Sequence, residues 1–522
     1  MQSTVHCVLT CPNLLLKIFS WLHLPETAHM NGYHDAAHED RKARRRTLPS
    51  VALVCRAFTP YALDIMWCTL EKLQPLLSLL PAIYYDVDED TYLLSRVVEP
   101  EQWQHFEEHT HRVRELHYDA DYELKVHPSV WTHLQEHYGH TAMLPQLRRL
   151  DMMAVSPYCV SPLLLLLHPA LRSLAIGFGR DMIISPPTTE TPPGAVVLEV
   201  ISGSSPGVHI LDLRHSFLMT MPAIGALADF RQLRKLVLCQ CSRCSVSGGS
   251  PIWTGALADS LRVCALAVKD IPDTFATGGF RSLRELSVNG LPGDVVNFIR
   301  GIQPIALHTF SLIARRTSRQ VALPPHLSSV CGSLPATVEH FKLTFEAGRQ
   351  TDPSCGLSTL LVHMRPLRNL TSLTLHGNAT GVDLAGEDIR VLGELWPRLQ
   401  SLSITRHPAP YPSRRSRLRE TVTLQGLAEI ARRCPALEVL SLPRLGAAEL
   451  SFAESDIPVT SHGLRFIEFQ DVCGAREPSA VASAIARLFP RLELDTLADE
   501  KSGCGWEWQV VRSLLRGKYD GR

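Results

Sequence analysis

One spacing of apolar residues, L-x-x-L-x-L, recurs along most of this chain of 522 residues and limits what it can fold into. Clear copies are PALRSLAI, RQLRKLVL and RSLRELSV. Leucine is common and a single match means little, but fourteen copies in series, several of them irregular, are not accidental. Their starts lie 22 to 38 residues apart, at Val113, Leu147, Leu171, Val208, Leu233, Leu261, Leu283, Leu307, Val338, Leu370, Leu399, Leu437, Leu464 and Phe489.

Each repeat combines two periods. In its x-L-x-L part, alternation places both apolar residues on one face of a short strand. The segment between copies often has helical spacing, as in Leu424, Leu427, Ile430 and Ala431, followed by Pro435. A strand-plus-helix unit cannot cover its own apolar side, whereas stacked units bury theirs in one continuous core. The pattern therefore predicts an α/β solenoid.

Composition excludes several classes of protein. A chain of this length exceeds one compact core, and 45% apolar with 20% charged residues is typical of folded protein. Lys plus Arg equals Asp plus Glu at 52 each, so no overall field favours nucleic acid or an anionic membrane. The most apolar window, 161–178, is interrupted by His168, Pro169 and Arg172, which argues against a membrane span.

The cysteines and the N-terminus suggest a compartment. Fourteen cysteines are scattered without a paired framework, and residues 1–10 lack the basic start of a signal peptide. We therefore expect reduced thiols and a cytoplasmic or nuclear location, or both.

The segment before the repeats predicts three short helices. In CPNLLLKIFSWL, Leu14, Ile18 and Leu22 follow i, i+4, i+8 with Leu15 and Phe19 alongside, an apolar face wider than one neighbouring helix needs.

Capping residues predict the other two helices. Ser50 is expected to cap a second helix carrying Val51, Val54 and Phe58, and Thr59 with Pro60 is expected to start a third carrying Leu63, Trp67 and Leu70. Three helices in some sixty residues have a marginal core. Their excess apolar surface indicates docking onto another protein's helices.

Two parts of the chain resemble known families. Residues 11–70 resemble an F-box of the type frequent in fungi, and 110–497 resemble leucine-rich repeats; Gly426–Leu442 is similar to the cysteine-containing repeats of F-box proteins. Departures from the F-box pattern are Cys11, Asn13 and a long insert, His23–Thr47. The residues that match the F-box are Pro12, Leu14, Leu15, Ile18, Phe19, Leu22, Leu53, Val54, Cys55, Arg56, Phe58, Pro60, Leu63 and Trp67.

The F-box resemblance implies contact with the adaptor subunit of cullin–RING ubiquitin ligases and, through it, with the cullin. It also implies internal packing by Leu63 and Trp67. The residues assigned to adaptor contact are Pro12, Leu14, Leu15, Ile18, Phe19, Leu22, Val54 and Phe58.

The expected organisation has four parts. Residues 1–75 form a helical F-box-like domain with an insert at 23–47, and 76–109 form a helical linker. An irregular leucine-rich-repeat horseshoe spans 110–497, and 498–522 form a C-terminal tail or cap. Trp103, Phe106 and the stem of His109 make a helical stripe that could fix the F-box to the solenoid.

Some motifs resemble reactive sites. CQCSRC (Cys239–Cys244) could bind zinc, but no second ligand pair is evident, so no metal is expected. His105 and His109 share a helix face in a His-rich segment that reads more simply as a solvated linker. GSSPG (Gly203–Gly207) matches G-x-S-x-G but precedes a strand where a nucleophile elbow needs a helix.

Two charged runs have simpler readings. RKARRR (41–46) could be a nuclear-import signal or only a solubilising insert, and DVDED (86–90) reads as a surface loop.

The preferred hypothesis is a non-catalytic substrate-recognition subunit of an SCF-type ubiquitin ligase, without cofactor, whose repeats bind a protein target. We predict that outward-facing residues contact that target, namely Arg234, Lys235, Val237, Arg284 and Glu285. The alternatives for the whole chain are a repeat scaffold that binds partners without a ligase and an enzyme using Ser205. For the three helices, the alternative is a cap that shields the first repeat.

Overall fold

The computed structural model describes seventeen stretches of the chain, grouped in two compact units. One unit contains Met1–Cys244 with Gly255–Ser260, and the other contains Ser245–Thr254 with Leu261–Arg522. The described residues are 11–20, 46–119, 125–139, 141–155, 161–178, 193–214, 226–238, 260–268, 271, 280–314, 323–345, 357–377, 386–405, 422–446, 460–473, 477–494 and 505–520.

The first unit alternates helices with short strands. Proline occupies the first turn of several helices, where its missing N–H has no intrahelical partner to lose. The helices are Pro12–Ser20, 46–52, Thr59–Cys68, Gln74–Leu77, Pro100–Thr110, Pro128–Tyr138, Ser161–Leu166 and Pro193–Ser204, with a 3₁₀ turn at Ala226–Asp229. The strands are β1 (Thr69–Leu70), β2 (Ile83–Asp86), β3 (Thr91–Leu94), β4 (Glu115–Asp119), β5 (Lys125–Val126), β6 (Arg149–Val155), β7 (Ser173–Phe178), β8 (Ile210–Arg214) and β9 (Lys235–Val237).

A parallel sheet in this unit runs in the order β1-β4-β6-β7-β8-β9. Leu116, Leu150, Leu174, Leu211 and Leu236 stand in register across it, so their side chains form one buried row. Parallel neighbours need a crossover between them, which the intervening helices or turns supply.

The segment predicted to be a helical linker, 76–109, contains strands as well as helix. It holds most of the helix Pro100–Thr110 and an antiparallel hairpin, β2–β3, whose second strand pairs with β5. The acidic run makes the hairpin turn, in which the carboxylate of Asp86 accepts hydrogen bonds from the backbone N–H groups of Asp88 (2.9 Å) and Glu89 (3.3 Å).

The second unit repeats the same plan. Its helices are Pro292–Ile302, Leu323–Ser333, Leu357–His363, Gly386–Leu395, Leu424–Arg433, Pro478–Leu488 and Trp506–Asp520. Its strands are β10 (Val263–Val268), β11 (Glu285–Gly290), β12 (Thr309–Ala314), β13 (His340–Phe345), β14 (Ser372–Gly377), β15 (Ser401–Thr405), β16 (Val422–Thr423), β17 (Val439–Gly446) and β18 (Phe466–Cys473). They pair in parallel in the order β10-β11-β12-β13-β14-β15-β17, with β16 and β18 also on β17.

Burial confirms the repeat pattern. Leu373 and Leu375 of β14 are buried while Ser372, Thr374 and His376 are not, the alternation expected of a strand with one face on a core. Leu424, Leu427, Ile430 and Ala431 are the buried residues of the helix Leu424–Arg433, as their spacing predicts. The chain is therefore a leucine-rich-repeat α/β solenoid.

The last copy of the pattern forms no strand. Phe489, Leu492 and Leu494 are buried, but 489–494 have no strand structure. The reason lies at β18: the backbone N–H of Gly505 donates to the carbonyl of Gln470, and Trp508 packs edge-to-face on Phe469 at 4.9 Å. The C-terminal helix thus covers the edge of β18 beside the place of a further strand.

One negative result concerns membranes. Among the residues that the structure describes, none of the helices has both the length and the apolar character needed to cross a bilayer.

Replacing a core leucine should destabilise the second unit far more than replacing its outward neighbour. Leu373→Ala leaves a cavity in the buried row and should lower the free energy of unfolding by about 2–5 kcal/mol. Thr374→Ala, on the opposite side of the strand, should stay within about 0.5 kcal/mol. Urea denaturation followed by circular dichroism measures both; equal shifts would contradict the assigned alternation.

Candidate docking face of the N-terminal helices

The three N-terminal helices share a small core. Leu15 and Phe19 of the first helix are 1% and 3% exposed, and they pack with buried Leu48 and Ala62 from the second and third helices. Phe19 meets Phe58 edge-to-face at 5.6 Å and lies against Tyr61 at 6.2 Å between ring centroids. Aromatic contacts of this kind add to the stabilisation that comes from burial alone.

Among the described residues of the bundle, four large apolar side chains remain outside this core. Leu14 and Ile18 are 41% and 52% exposed, and Leu53 and Val54 are 87% and 66% exposed. Leu14 and Ile18 are four residues apart, so they lie one above the other on the same side of the first helix. We call Leu14, Ile18, Leu53 and Val54 the docking residues.

The second helix ends earlier in the sequence than predicted. Residues 46–52 are helical, so Ser50 lies within the helix and is not its cap. The chain then turns, with the N–H of Leu53 donating to the carbonyl of Ser50 and that of Val54 to Val51, both at 3.2 Å. Leu53 and Val54 are therefore presented on a turn.

Thr59 holds that turn in place. The third helix, Thr59–Cys68, begins after Phe58 and has no side-chain cap, so the prediction of Thr59 as its N-cap is wrong. The Thr59 hydroxyl instead donates to the carbonyl of Ala52 at 2.8 Å, and the carbonyl of Cys55 lies 3.3 Å from it. This bond ties the start of the third helix to the end of the second and closes the loop that carries Leu53 and Val54.

The predicted adaptor contacts divide into two groups. Leu14, Ile18 and Val54 are exposed, whereas Leu15 and Phe19 are inside this chain's own core and offer no surface to a partner. Their assignment as contacts is corrected accordingly. Phe58 is half-buried and packs on the same core.

The remaining predicted residues add little. The side chain of Pro12 and all of Leu22 lie outside the described residues. Leu53 matched the family pattern but was not assigned a contact, and its turn position is a tertiary feature that spacing does not show. Leu63 and Trp67 are half-buried.

The bundle is joined directly to the repeats of its unit. The third helix ends at Cys68 and β1 begins at Thr69, which pairs with Glu115 of β4. The guanidinium of Arg112 forms an ion pair with Asp64 and donates to the carbonyl of Pro60 at 3.3 Å. The Trp67 ring meets His109 at 4.6 Å.

The predicted stripe contributes to this joint in part. His109 touches the third helix, as just described, and Phe106 is buried. Trp103 instead stacks on His137 of the helix Pro128–Tyr138, with centroids 3.6 Å apart and planes 2° from parallel. The His-rich segment predicted to be a solvated linker is thus partly packed.

The alternative motifs do not form a reactive site where the structure describes them. Ser205 is fully buried after the helix Pro193–Ser204, and its hydroxyl donates to the carbonyl of His168 at 2.9 Å. The order is helix, turn, strand, the reverse of a nucleophile elbow. The described residues include no group of three or more His, Cys, Asp or Glu side chains that could hold a metal ion.

Two motifs cannot be placed. Cys239–Cys244 and residues 41–45 of the basic run lie outside the described residues.

The residues predicted to contact a target are divided between the units. Arg234, Lys235 and Val237 belong to the first unit, and Arg284 and Glu285 belong to the second. Lys235 and Val237 flank buried Leu236 and so face away from the core, and Arg284 and Glu285 are exposed. Their role in target contact stays a prediction.

Comparisons with known proteins do not assign the chain to a family. No family model matches the chain, and no curated protein matches it. Among the solved structures that resemble it are two at low identity. The leucine-rich-repeat-containing protein LegL7 from Legionella pneumophila is 13% identical with a TM-score of 0.30, over 67% of this chain and 92% of that one.

Another similar structure is the complex of Rad7 and Elc1 in yeast. It is 14% identical with a TM-score of 0.37, over 80% of this chain and 93% of that one. Similarity at this level assigns no function to the chain.

Core and surface residues of the bundle should respond differently to truncation. Phe19→Ala removes the ring that packs on Phe58 and Tyr61 in the core of the bundle and should cost about 3–5 kcal/mol, enough to unfold so small a core. Leu53→Ala should change the free energy of unfolding by less than about 0.5 kcal/mol. Hydrogen exchange of the amides in Thr59–Cys68 measures the effect; comparable loss of protection in both variants would contradict this core.

Proposed function

We propose that the chain is the substrate-recognition subunit of an SCF-type ubiquitin ligase. The observation that carries the proposal is the surplus of apolar side chains on the N-terminal bundle: its interior is filled by Leu15 and Phe19, yet the four docking residues remain in solvent. They lie in a segment that resembles an F-box, whose partner is the adaptor of cullin–RING ligases.

The docking residues could contribute enough binding free energy for a small contact site. Complete burial of a leucine, isoleucine or valine contributes roughly 1.5–3 kcal/mol, and partly exposed residues give proportionately less. Burial of two leucines, an isoleucine and a valine against a partner would therefore supply apolar contact energy, around which polar contacts can be arranged.

The joint between bundle and repeats suits a receptor. Because the third helix leads into β1 without a linker, and Arg112 ties Asp64 and Pro60 to the following segment, a docked adaptor is held at a fixed position relative to the first repeats. A receptor of this kind acts by bringing target and ubiquitin-loaded enzyme together, and it needs no nucleophile of its own. We place it, on the same proposal, in the cytoplasm or the nucleus.

Charge placed on the docking residues should abolish adaptor binding. In Ile18→Asp, Val54→Asp protein, two carboxylates would have to be desolvated at the contact, and capture of the purified adaptor should fall at least roughly a hundredfold. Both positions are exposed, so the fold should be retained. The readout is the dissociation constant from biolayer interferometry, with circular dichroism on the same samples.

A matched control is present in the second unit. Ile305 and Val362 are 62% and 54% exposed, so Ile305→Asp, Val362→Asp makes the same chemical change in the unit that does not contain the bundle. This control should bind the adaptor like the unchanged protein. If both double variants bind the adaptor equally well, the docking residues do not form the adaptor contact. If the unchanged protein does not bind the adaptor at all, the chain is a scaffold without a ligase.

A further inference from the structure

The outward side of β12–β15 has an unusual composition. In these four strands the buried residues face the helices, and the alternate residues face away from them. Twelve residues of the four strands face outward, and eight of these are Ser or Thr. The described strands β12–β15 carry no carboxylate. We call the twelve positions the hydroxyl face: Thr309, Ser311, Ile313, His340, Lys342, Thr344, Ser372, Thr374, His376, Ser401, Ser403 and Thr405.

Register brings these side chains into rows across the sheet. Ser311, Lys342, Thr374 and Ser403 are partners on successive strands and form the central row. Neighbouring strands lie about 4.8 Å apart, so Lys342 has a hydroxyl residue on each side of it. On the next row His376 Nδ1 lies 2.7 Å from Thr405 Oγ1.

Lys342 is the one permanent positive charge on the hydroxyl face. It is exposed and forms no ion pair with any residue in the described part of the chain. Carboxylates occur on the flanks, at Glu285 of β11 beside Thr309 and at Glu468 on β18, and Glu339 directly precedes β13. The positive position is thus central and the negative positions are peripheral.

The corresponding side of the first unit is different. There Asp151 lies 3.7 Å from the His117 ring and 3.5 Å from the Arg214 guanidinium, which also donates to Asp212 at 2.9 Å. These four groups, His117, Asp151, Asp212 and Arg214, are therefore paired with one another. The hydroxyl face, in contrast, has a cation without a counter-ion among the described residues.

We infer that the hydroxyl face binds an extended, acidic segment of a protein target, with a carboxylate paired to Lys342. Short hydroxyl side chains let a partner's main chain approach closely, and they can donate to its carbonyls and accept from its N–H groups. A basic segment finds no counter-charge on these strands. The single permanent charge matches a carboxylate monoanion better than a phosphate dianion. As the site of target recognition, the hydroxyl face rests on the proposed receptor function.

A peptide library tests the inference with the full-length protein. The probe is a set of immobilised decapeptides in which one central position is fixed in turn as each amino acid, phosphoserine or phosphothreonine, and the other positions are random. The unchanged protein should retain Asp and Glu peptides roughly fivefold over Lys and Arg peptides, the scale of one exposed ion pair. Lys342→Glu should reverse this preference.

Arg300→Glu is the matched control. Arg300 is exposed on the helix Pro292–Ile302, off the strand face, so this variant has the same net charge as Lys342→Glu and should keep the acidic preference. No acidic preference, or one that survives Lys342→Glu, overturns the inference. If the protein retains only phosphopeptides, its ligand is a phosphate and not a carboxylate, and this result also overturns the inference. Adaptor binding by the same preparations separates failure of this site from failure of the receptor proposal.

Discussion

The packing of Phe19 among Phe58, Tyr61 and Ala62 is the contact on which the N-terminal bundle depends. A bundle of three short helices has room inside for few large side chains, and Leu15 and Phe19 take that room. The remaining apolar residues of the same segment are left in solvent. The proposed docking role is a direct consequence of this limited interior.

In the repeats, too, the side chains that fill the core determine which others are left on the surface. Parallel register aligns the buried residues in rows, and it necessarily aligns the alternate residues on the opposite side as well. Each repeated core position is therefore accompanied by a repeated surface position. The surface residues can change without disturbing the buried ones. In the second unit this gives rows of hydroxyl groups around Lys342, while in the first unit it gives mutually paired charges.

Sequence spacing predicted the rows because it depends only on which residues alternate, and this is local. It could not separate Leu15 from Ile18, since both lie in one broad apolar stripe and only the other helices decide which side is covered. Likewise, Phe489 has the spacing of a repeat but no strand, because Gly505 and Trp508 cover the edge of β18 from a distant part of the sequence. Tertiary contacts decide both cases.

Alkylation of Cys55, followed by mass spectrometry with and without bound adaptor, tests the central claim most directly. Cys55 is exposed next to Val54, whereas burial raises the pKa of Cys331 to about 12 and of Cys434 to about 11, so those thiols react slowly in both states and serve as internal references. The account predicts that saturating adaptor slows Cys55 alkylation roughly tenfold or more and leaves both references unchanged. An unchanged Cys55 rate in the presence of bound adaptor would contradict it.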